Sequence, residues 1–188
     1  MNTTEAKPMI REFKPELDLA ALQNIDTSFT TELVYEVIAN NNVLALNYSR
    51  RSPSLKKTFS IDVDRHGAEY GLVALLDDQI CGFIAANFAD WNMHLNIQHF
   101  YVDSASRNNG IGKMLMRSLL SYGQSLGAEV VWTETSNLNY PGIEVYKKLG
   151  FSVCGFDLSI YQGTSYRDEF AVFLSLNLES DSSARFLS

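Results

Sequence analysis

The chain has 188 residues, 46% hydrophobic and 20% charged, a balance that suits one packed domain and excludes disorder as the default. Fifteen Lys and Arg against 22 Asp and Glu leave a formal net charge of -7. That charge excludes a nucleic acid or an anionic membrane surface as partner, because either needs a basic stripe. It leaves room for a cationic ligand, or serves only to keep the chain soluble.

The polar ends, 1–8 and 179–188, are expected to be loose, with a single domain over 9–178. No apolar leader stands in the first thirty residues, and no apolar run approaches the roughly 20 residues of a membrane span, so a cytoplasmic protein is expected. From Pro15 the pattern turns helical, with Leu17, Ala20, Ala21, Asn24 and Ile25 on one face. Thr30 and Thr31 are placed to cap a second helix through Leu33, Val34, Val37 and Ile38. Residues 47–69 carry no readable period. The runs Tyr70–Leu76 and Ile80–Phe88, joined by Asp77-Asp78-Gln79, predict an antiparallel hairpin, and Leu95–Val102 a third strand.

A polar loop, Asp103 to Gly110, then gives way to Ile111, Leu115, Ser118, Leu119, Tyr122 and Leu126 at helical spacing, closed by Gly127. Val130–Thr135 reads as a buried strand, and Pro141 opens a short helix through Tyr146 with Gly150 behind it. Phe156–Tyr161 and Phe170–Leu178 predict a closing hairpin. The order is that of an α/β domain with a mixed sheet. Cys81 and Cys154 sit in apolar runs and read as buried small hydrophobes. His66, His94 and His99 show no spacing that a zinc site would need, so no metal is expected.

One segment carries chemistry by its form: Val102-Asp103-Ser104-Ala105-Ser106-Arg107-Asn108-Asn109-Gly110-Ile111-Gly112. A strand hands a small-residue loop to a helix start, where unpaired amides and the helix dipole favour an anion. Gly110 and Gly112 would let a pyrophosphate approach the backbone, and Lys113 would add charge. An ordinary tight strand-helix turn fits the same residues. The spacing is neither that of a P-loop nor that of a dinucleotide fingerprint.

Val102, four residues, then Arg107-x-x-Gly110-x-Gly112 resembles motif A of the GNAT superfamily of acyl-CoA-dependent N-acetyltransferases. Asn139 followed by Tyr146-Lys147-Lys148-Leu149-Gly150-Phe151 is similar to a second motif of that family. The resemblance implies a mixed, mostly antiparallel central sheet flanked by helices, with a splayed strand pair holding acetyl-CoA as cosubstrate. It implies that Arg107, Asn108, Asn109, Gly110, Ile111, Gly112 and Lys113 hold the pyrophosphate. The backbone of Phe100, Tyr101 and Val102 would run beside the pantetheine amides, and Asn139 and Tyr146 would meet the rest of the arm.

A narrower resemblance, to streptothricin acetyltransferases, runs through Trp91-Asn92, Ile97-Gln98-His99, Thr133-Glu134-Thr135, Pro141, Gly155–Tyr161 and Glu169–Phe173. It implies an acceptor that is a small cationic amine, and a homodimer is compatible with it. Trp91, Asn92, Gln98, Glu134, Asp157, Tyr161 and Glu169 are the candidate acceptor contacts, although core packing accounts for Trp91 alone. Asp62, Asp64 and Glu69 edge the same pocket or a solvated loop.

Acetyl transfer to an amine needs a neutral nucleophile, yet an alkylammonium of pKa about 10.4 is only about one part in two thousand neutral at pH 7. Many GNAT members place a glutamate where this chain has Gln98, and glutamine accepts no proton at useful pH. Glu134, on the following strand, is the candidate base; an ion pair or substrate anchor fits it equally. His99, one residue from Gln98, is expected on the opposite face. Tyr146 is the candidate acid for the leaving thiolate, or else a core tyrosine, and Asn139 a CoA ligand or a helix cap. Two other readings remain open. One is a ribosomal-protein-type N-terminal acetyltransferase; the other is a non-catalytic acyl-CoA sensor.

Overall fold

The structure, a computed structural model, describes residues 7–41, 43–63 and 67–178. In chain order its elements are β1 (Met9–Glu12), α1 (Pro15–Leu22), β2 (Phe29–Asn40), β3 (Val43–Lys57), β4 (Tyr70–Leu76), β5 (Gln79–Ala89), β6 (His94–Val102), α2 (Ile111–Ser125), β7 (Val130–Ser136), α3 (Tyr140–Lys148), β8 (Ser152–Asp157) and β9 (Ala171–Asn177). Asp64, His66 and almost all of the two expected loose ends lie outside the described residues. The chain divides into two units, Met1–Thr27 with Phe59–Trp132 and Asn177–Ser188, and Ser28–Thr58 with Thr133–Leu176.

In the first unit the strands run in the order β1-β4-β5-β6, each pair antiparallel. The β4–β5 hairpin closes through Asp77 and Asp78, both left-handed at φ 50° and 61°. That is the two-residue turn whose twist matches paired strands. One face of the sheet carries Leu22, Ile25, Ile61, Val73, Leu75 and Phe83 in a single apolar cluster. On α1 the buried residues are Asp18 and Leu22, whereas Leu17 is 67% exposed, which corrects the predicted face; Ile25, buried as expected, lies beyond the helix. Asp18 turns inward because both Arg11 guanidinium nitrogens (2.7 and 2.8 Å) and the Lys14 amide (2.8 Å) donate to its carboxylate. Hydrogen bonding by Arg11 holds that carboxyl below its ordinary range.

The other face receives α2. A Cβ at Gly82 would lie 3.0 Å from a Leu115 methyl, and one at Gly123 only 2.7 Å from a Leu95 methyl. Leu95 and Phe100 both touch α2 although five residues separate them, which a strict alternation forbids. The register explains it: Ala85 faces His99 and Ala86 faces Ile97, so Gln98 is an inserted bulge residue that rephases β6.

The second unit corrects the largest expectation. Thr30 to Ile38 form no second helix; they lie in β2, which pairs antiparallel with β3 in a sheet of two strands. Four apolar residues at 33, 34, 37 and 38 fit a helical face. The β-branched and aromatic content of Leu-Val-Tyr-Glu-Val-Ile, and the asparagine-rich turn with Asn41 at φ 52°, favour a hairpin. The first part of the unreadable stretch, from residue 47 to Lys57, is its partner strand. The register jumps from Thr31–Leu55 to Leu33–Arg50, so Arg51 to Ser54, including Pro53, bulge out. The closing hairpin is present as β8 and β9, but β8 begins at Ser152 and ends at Asp157, and Tyr161 lies in the turns that follow. Cys81 is buried as expected, whereas Cys154 is exposed on β8.

Candidate active site

In the first unit β6 ends at Val102, and the next residues are fixed by the chain itself. The Asp103 amide donates to Cys81 O (2.8 Å), while its carboxylate accepts from the amides of Asp26 (2.9 Å) and Ala105 (3.0 Å). The Arg107 guanidinium donates to Val102 O (3.0 Å) and Asp26 O (3.2 Å), so the side chain braces the loop from behind. Asn108 and Gly110 are then left-handed, at φ 66° and 76°. Helix α2 starts without a side-chain cap, and its first backbone bond runs from Met114 N to Gly110 O (3.0 Å). The Ile111 and Gly112 amides precede that bond, so they have no acceptor within the helix.

A Cβ at Gly110 would meet nothing within 4 Å, whereas one at Gly112 would lie 3.3 Å from the Phe100 ring and 3.7 Å from a Val102 methyl. Gly112 is therefore required by close packing of α2 on β6, and Gly110 by its backbone conformation. This open, uncapped amide turn at a helix start is the kind of cradle a diphosphate fits. Asn108 and Asn109 lie exposed at its rim, and Lys113 is exposed on the first turn of α2.

Gln98 is half-buried at the bulge, while His99 is buried on the other face, 5.8 Å from the Phe83 ring and 6.0 Å from Tyr101. Trp91 and Asn92 sit in the β5–β6 turn, at the end of β6 opposite the amide loop. Trp91 is 83% exposed, so core packing does not account for it.

In the second unit Asn139 caps α3. Its side chain accepts from the Gly142 amide (3.1 Å) and donates to Thr135 Oγ1 (3.0 Å). A Cβ at Gly142 would come within 2.3 Å of that side chain, which is why glycine follows Pro141. One turn further on, Tyr146 is buried, and Thr133 Oγ1 donates to its phenol oxygen at 3.4 Å. This contact does not use the Tyr146 proton. Burial pushes the phenol up to about 12.

The predicted acidic residues separate into two kinds. Asp157 accepts through one oxygen from Ser159 N (2.7 Å), Ser159 Oγ (2.7 Å) and Ile160 N (3.1 Å), so it organises the turn after β8. Those bonds hold its carboxyl below the ordinary range. Glu134 and Glu169, by contrast, lie close to one phenol. Tyr161 donates to Glu134, and its own ionisation is pushed up first by burial, then by that bond and by the charges of Glu134 and Glu169. Glu169 also accepts from Ser136 Oγ and from the Lys57 ammonium, over which the Tyr166 ring stands at 4.9 Å. Sequence reasoning missed Lys57, Ser136 and Tyr166, because Lys57 ends a strand that carried no readable period.

Two further groups missed in the sequence shape this unit. Asn137 is buried and ties β2 to the start of β9, with its amide nitrogen on Tyr35 O (2.9 Å) and its oxygen accepting from Phe170 N (3.0 Å). Tyr35 donates to Glu144 (2.8 Å) and accepts from Lys147, which also bonds Glu144 (2.9 Å), so this lysine of the second motif is a structural strut.

The comparisons with known proteins agree with the two motifs. Residues 35–151 match the acetyltransferase (GNAT) family. A streptothricin acetyltransferase of Streptomyces lavendulae is 34% identical over 169 residues, which cover 85% of this chain and 89% of the relative. The crystal structure of nourseothricin acetyltransferase superposes with a TM-score of 0.83 at 31% identity, covering 92% of this chain and 99% of that one. A Bacillus anthracis protein described as a streptothricin acetyltransferase, crystallised with acetyl coenzyme A, gives a TM-score of 0.77 at 26% identity. That match covers 92% of this chain and 99% of the other.

Proposed function

The chain belongs to the GNAT family of acetyl-CoA-dependent acetyltransferases, and from that premise we propose that it acetylates a primary amine of a small cationic molecule such as streptothricin. The observation that carries the acceptor class is the pair of carboxylates, Glu134 and Glu169, set around the Tyr161 phenol. A carboxylate beside phenols suits an alkylammonium and not an anion. The similarity to streptothricin acetyltransferases supports the same class.

Acetyl-CoA, when bound, supplies an activated thioester. The amides of Ile111 and Gly112 and the left-handed turn at Asn108 to Gly110 are assigned to its diphosphate, with Lys113 adding charge. The backbone of Phe100 to Val102 is assigned to its pantetheine arm. Glu134 is assigned the acceptor's proton: Tyr161 binds the carboxylate from one side and leaves further lone pairs for an ammonium.

Tyr146 is assigned to the leaving sulfur. A thiol of pKa about 8.5 is far more acidic than a phenol at about 12, so full proton transfer to the thiolate is uphill. Tyr146 therefore acts as a hydrogen-bond donor that stabilises developing negative charge and keeps its proton.

The test is thiol release from acetyl-CoA with a panel containing streptothricin, simple polyamines and peptides with free N-termini. Saturable release with streptothricin and none with peptides is the expected result. Release with peptides alone would make this an N-terminal acetyltransferase. Acetyl-CoA binding with no release from any amine would make it a sensor, the reading that Gln98 in place of a glutamate favours.

A further inference from the structure

Lys57 closes β3, and its ammonium sits among a carboxylate, a hydroxyl and an aromatic face. It donates to Glu169, Ser136 Oγ lies 3.5 Å away, and the Tyr166 ring centroid 4.9 Å away. The side chains of Lys57 and Glu169 are only 10% and 11% exposed. These three partner types are what recognises an alkylammonium in general. The chain has thus built an ammonium seat and filled it with its own lysine.

We propose that Lys57 is a specificity residue, whose ammonium occupies the Glu169 seat and leaves Glu134 as the one carboxylate open to the acceptor's cation. The inference rests on the acceptor reading above. Glu134 and Ser136 are two residues apart on β7 and so share a face, and Tyr161 bonds the first while Glu169 bonds the second, so the two seats are neighbours within one cluster. An acceptor therefore presents a single ammonium to this cluster, and a second ammonium gains nothing while Lys57 is in place. Glu169 is already partnered by Lys57 and Ser136 without drawing on the substrate.

Two substitutions separate the seat from its packing. Lys57→Ala removes both stem and charge, and Lys57→Met keeps the stem. In the alanine variant, millimolar n-butylammonium should refill the seat and raise the melting temperature, rising with the logarithm of its concentration. Neutral n-butanol should not, and the wild type and Lys57→Met should show only the smaller rise that binding at Glu134 gives. If Lys57→Ala is recovered folded only in the presence of the amine, that dependence is the same readout. The double variant Lys57→Ala/Glu169→Gln should lose the added response and fall back to the wild-type rise. Kinetically, the alanine variant should favour cadaverine over pentylamine in KM by about tenfold more than the wild type does, because a second charged hydrogen-bonded pair forms.

An alanine variant that butylammonium stabilises no more than it does the wild type would overturn the seat. Amine-dependent stabilisation with an unchanged KM ratio would overturn the specificity role. The melting readout needs no turnover, so it stands even if neither protein transfers acetyl to any amine, a result that would sink the acceptor reading alone.

Discussion

The amide loop after β6 and the carboxylate cluster around Tyr161 are built from opposite kinds of group. The loop is eleven contiguous residues whose working groups are main-chain amides, held by Asp103 and Arg107 from behind. The cluster draws side chains from four separate places, at Lys57, at Glu134 and Ser136, at Tyr161 and Tyr166, and at Glu169. Every residue except proline carries a main-chain N–H, so the loop should tolerate side-chain change except at a proline or where a Cβ or a positive φ intrudes. Each member of the cluster contributes a particular functional group, so replacing one changes which ligand fits.

The sharpest way to break this contrast is Glu134→Gln, which keeps the shape and an acceptor for Tyr161 but cannot hold a proton. Turnover should fall by about a hundredfold or more, the usual range for a general base, while acetyl-CoA affinity by calorimetry stays put. A loss below tenfold would move the base elsewhere and reduce Glu134 to an anchor.

Next in size is a stability effect at Tyr146. Its phenol ionises near 12 when folded and near 10 when unfolded, so the unfolded chain gives up that proton first as pH rises. The stabilisation is complete below pH 10 and is lost as pH climbs towards 12, about 3 kcal/mol in all. Tyr146→Phe should flatten the fall in unfolding free energy over that window, as read by denaturant melts at stepped pH. An unchanged slope would mean that the ring is wetter than its burial indicates.

These two regions also differ in how far the sequence disclosed them. The loop was readable because its information is local: a strand pattern, small residues, and glycines where the backbone turns left-handed or a helix presses on Phe100. Tyr146 and Asn139 were singled out by the resemblance of Asn139 and Tyr146–Phe151 to the second GNAT motif, which is also a local pattern. The cluster was only half readable. Glu134, Tyr161 and Glu169 stood out singly, but their partner Lys57 comes from β3, and β2 mimicked a helix by placing Leu33, Val34, Val37 and Ile38 at helical spacing. Non-local strand pairing sets that hairpin, and single-sequence periodicity does not report pairing. The bulge at Gln98 was hidden in the same way, since only the register with β5 reveals it.

The loop itself offers a paired test of smaller effects. Gly112→Leu should displace the Phe100 ring, lower the melting temperature and weaken acetyl-CoA binding by about tenfold, the equivalent of one lost charge-assisted bond. Gly110→Ala meets no neighbour and should cost about 1 kcal/mol of stability through its left-handed φ, with acetyl-CoA affinity little altered. If the two variants lost binding equally, conformation and not close packing would govern the cradle.

The smallest effect is expected at Trp91, and its smallness is informative. A tryptophan 83% exposed in the β5–β6 turn has nearly all of its ring in water already, so Trp91→Ala should change unfolding free energy by less than about 0.5 kcal/mol. The acceptor KM should also stay within about twofold, a difference of less than about 0.5 kcal/mol. Steady-state kinetics with streptothricin reads this directly. A large rise in KM would mean that the indole itself touches the acceptor, and its exposure would then be that of a binding group waiting for a ligand and not that of an idle turn residue.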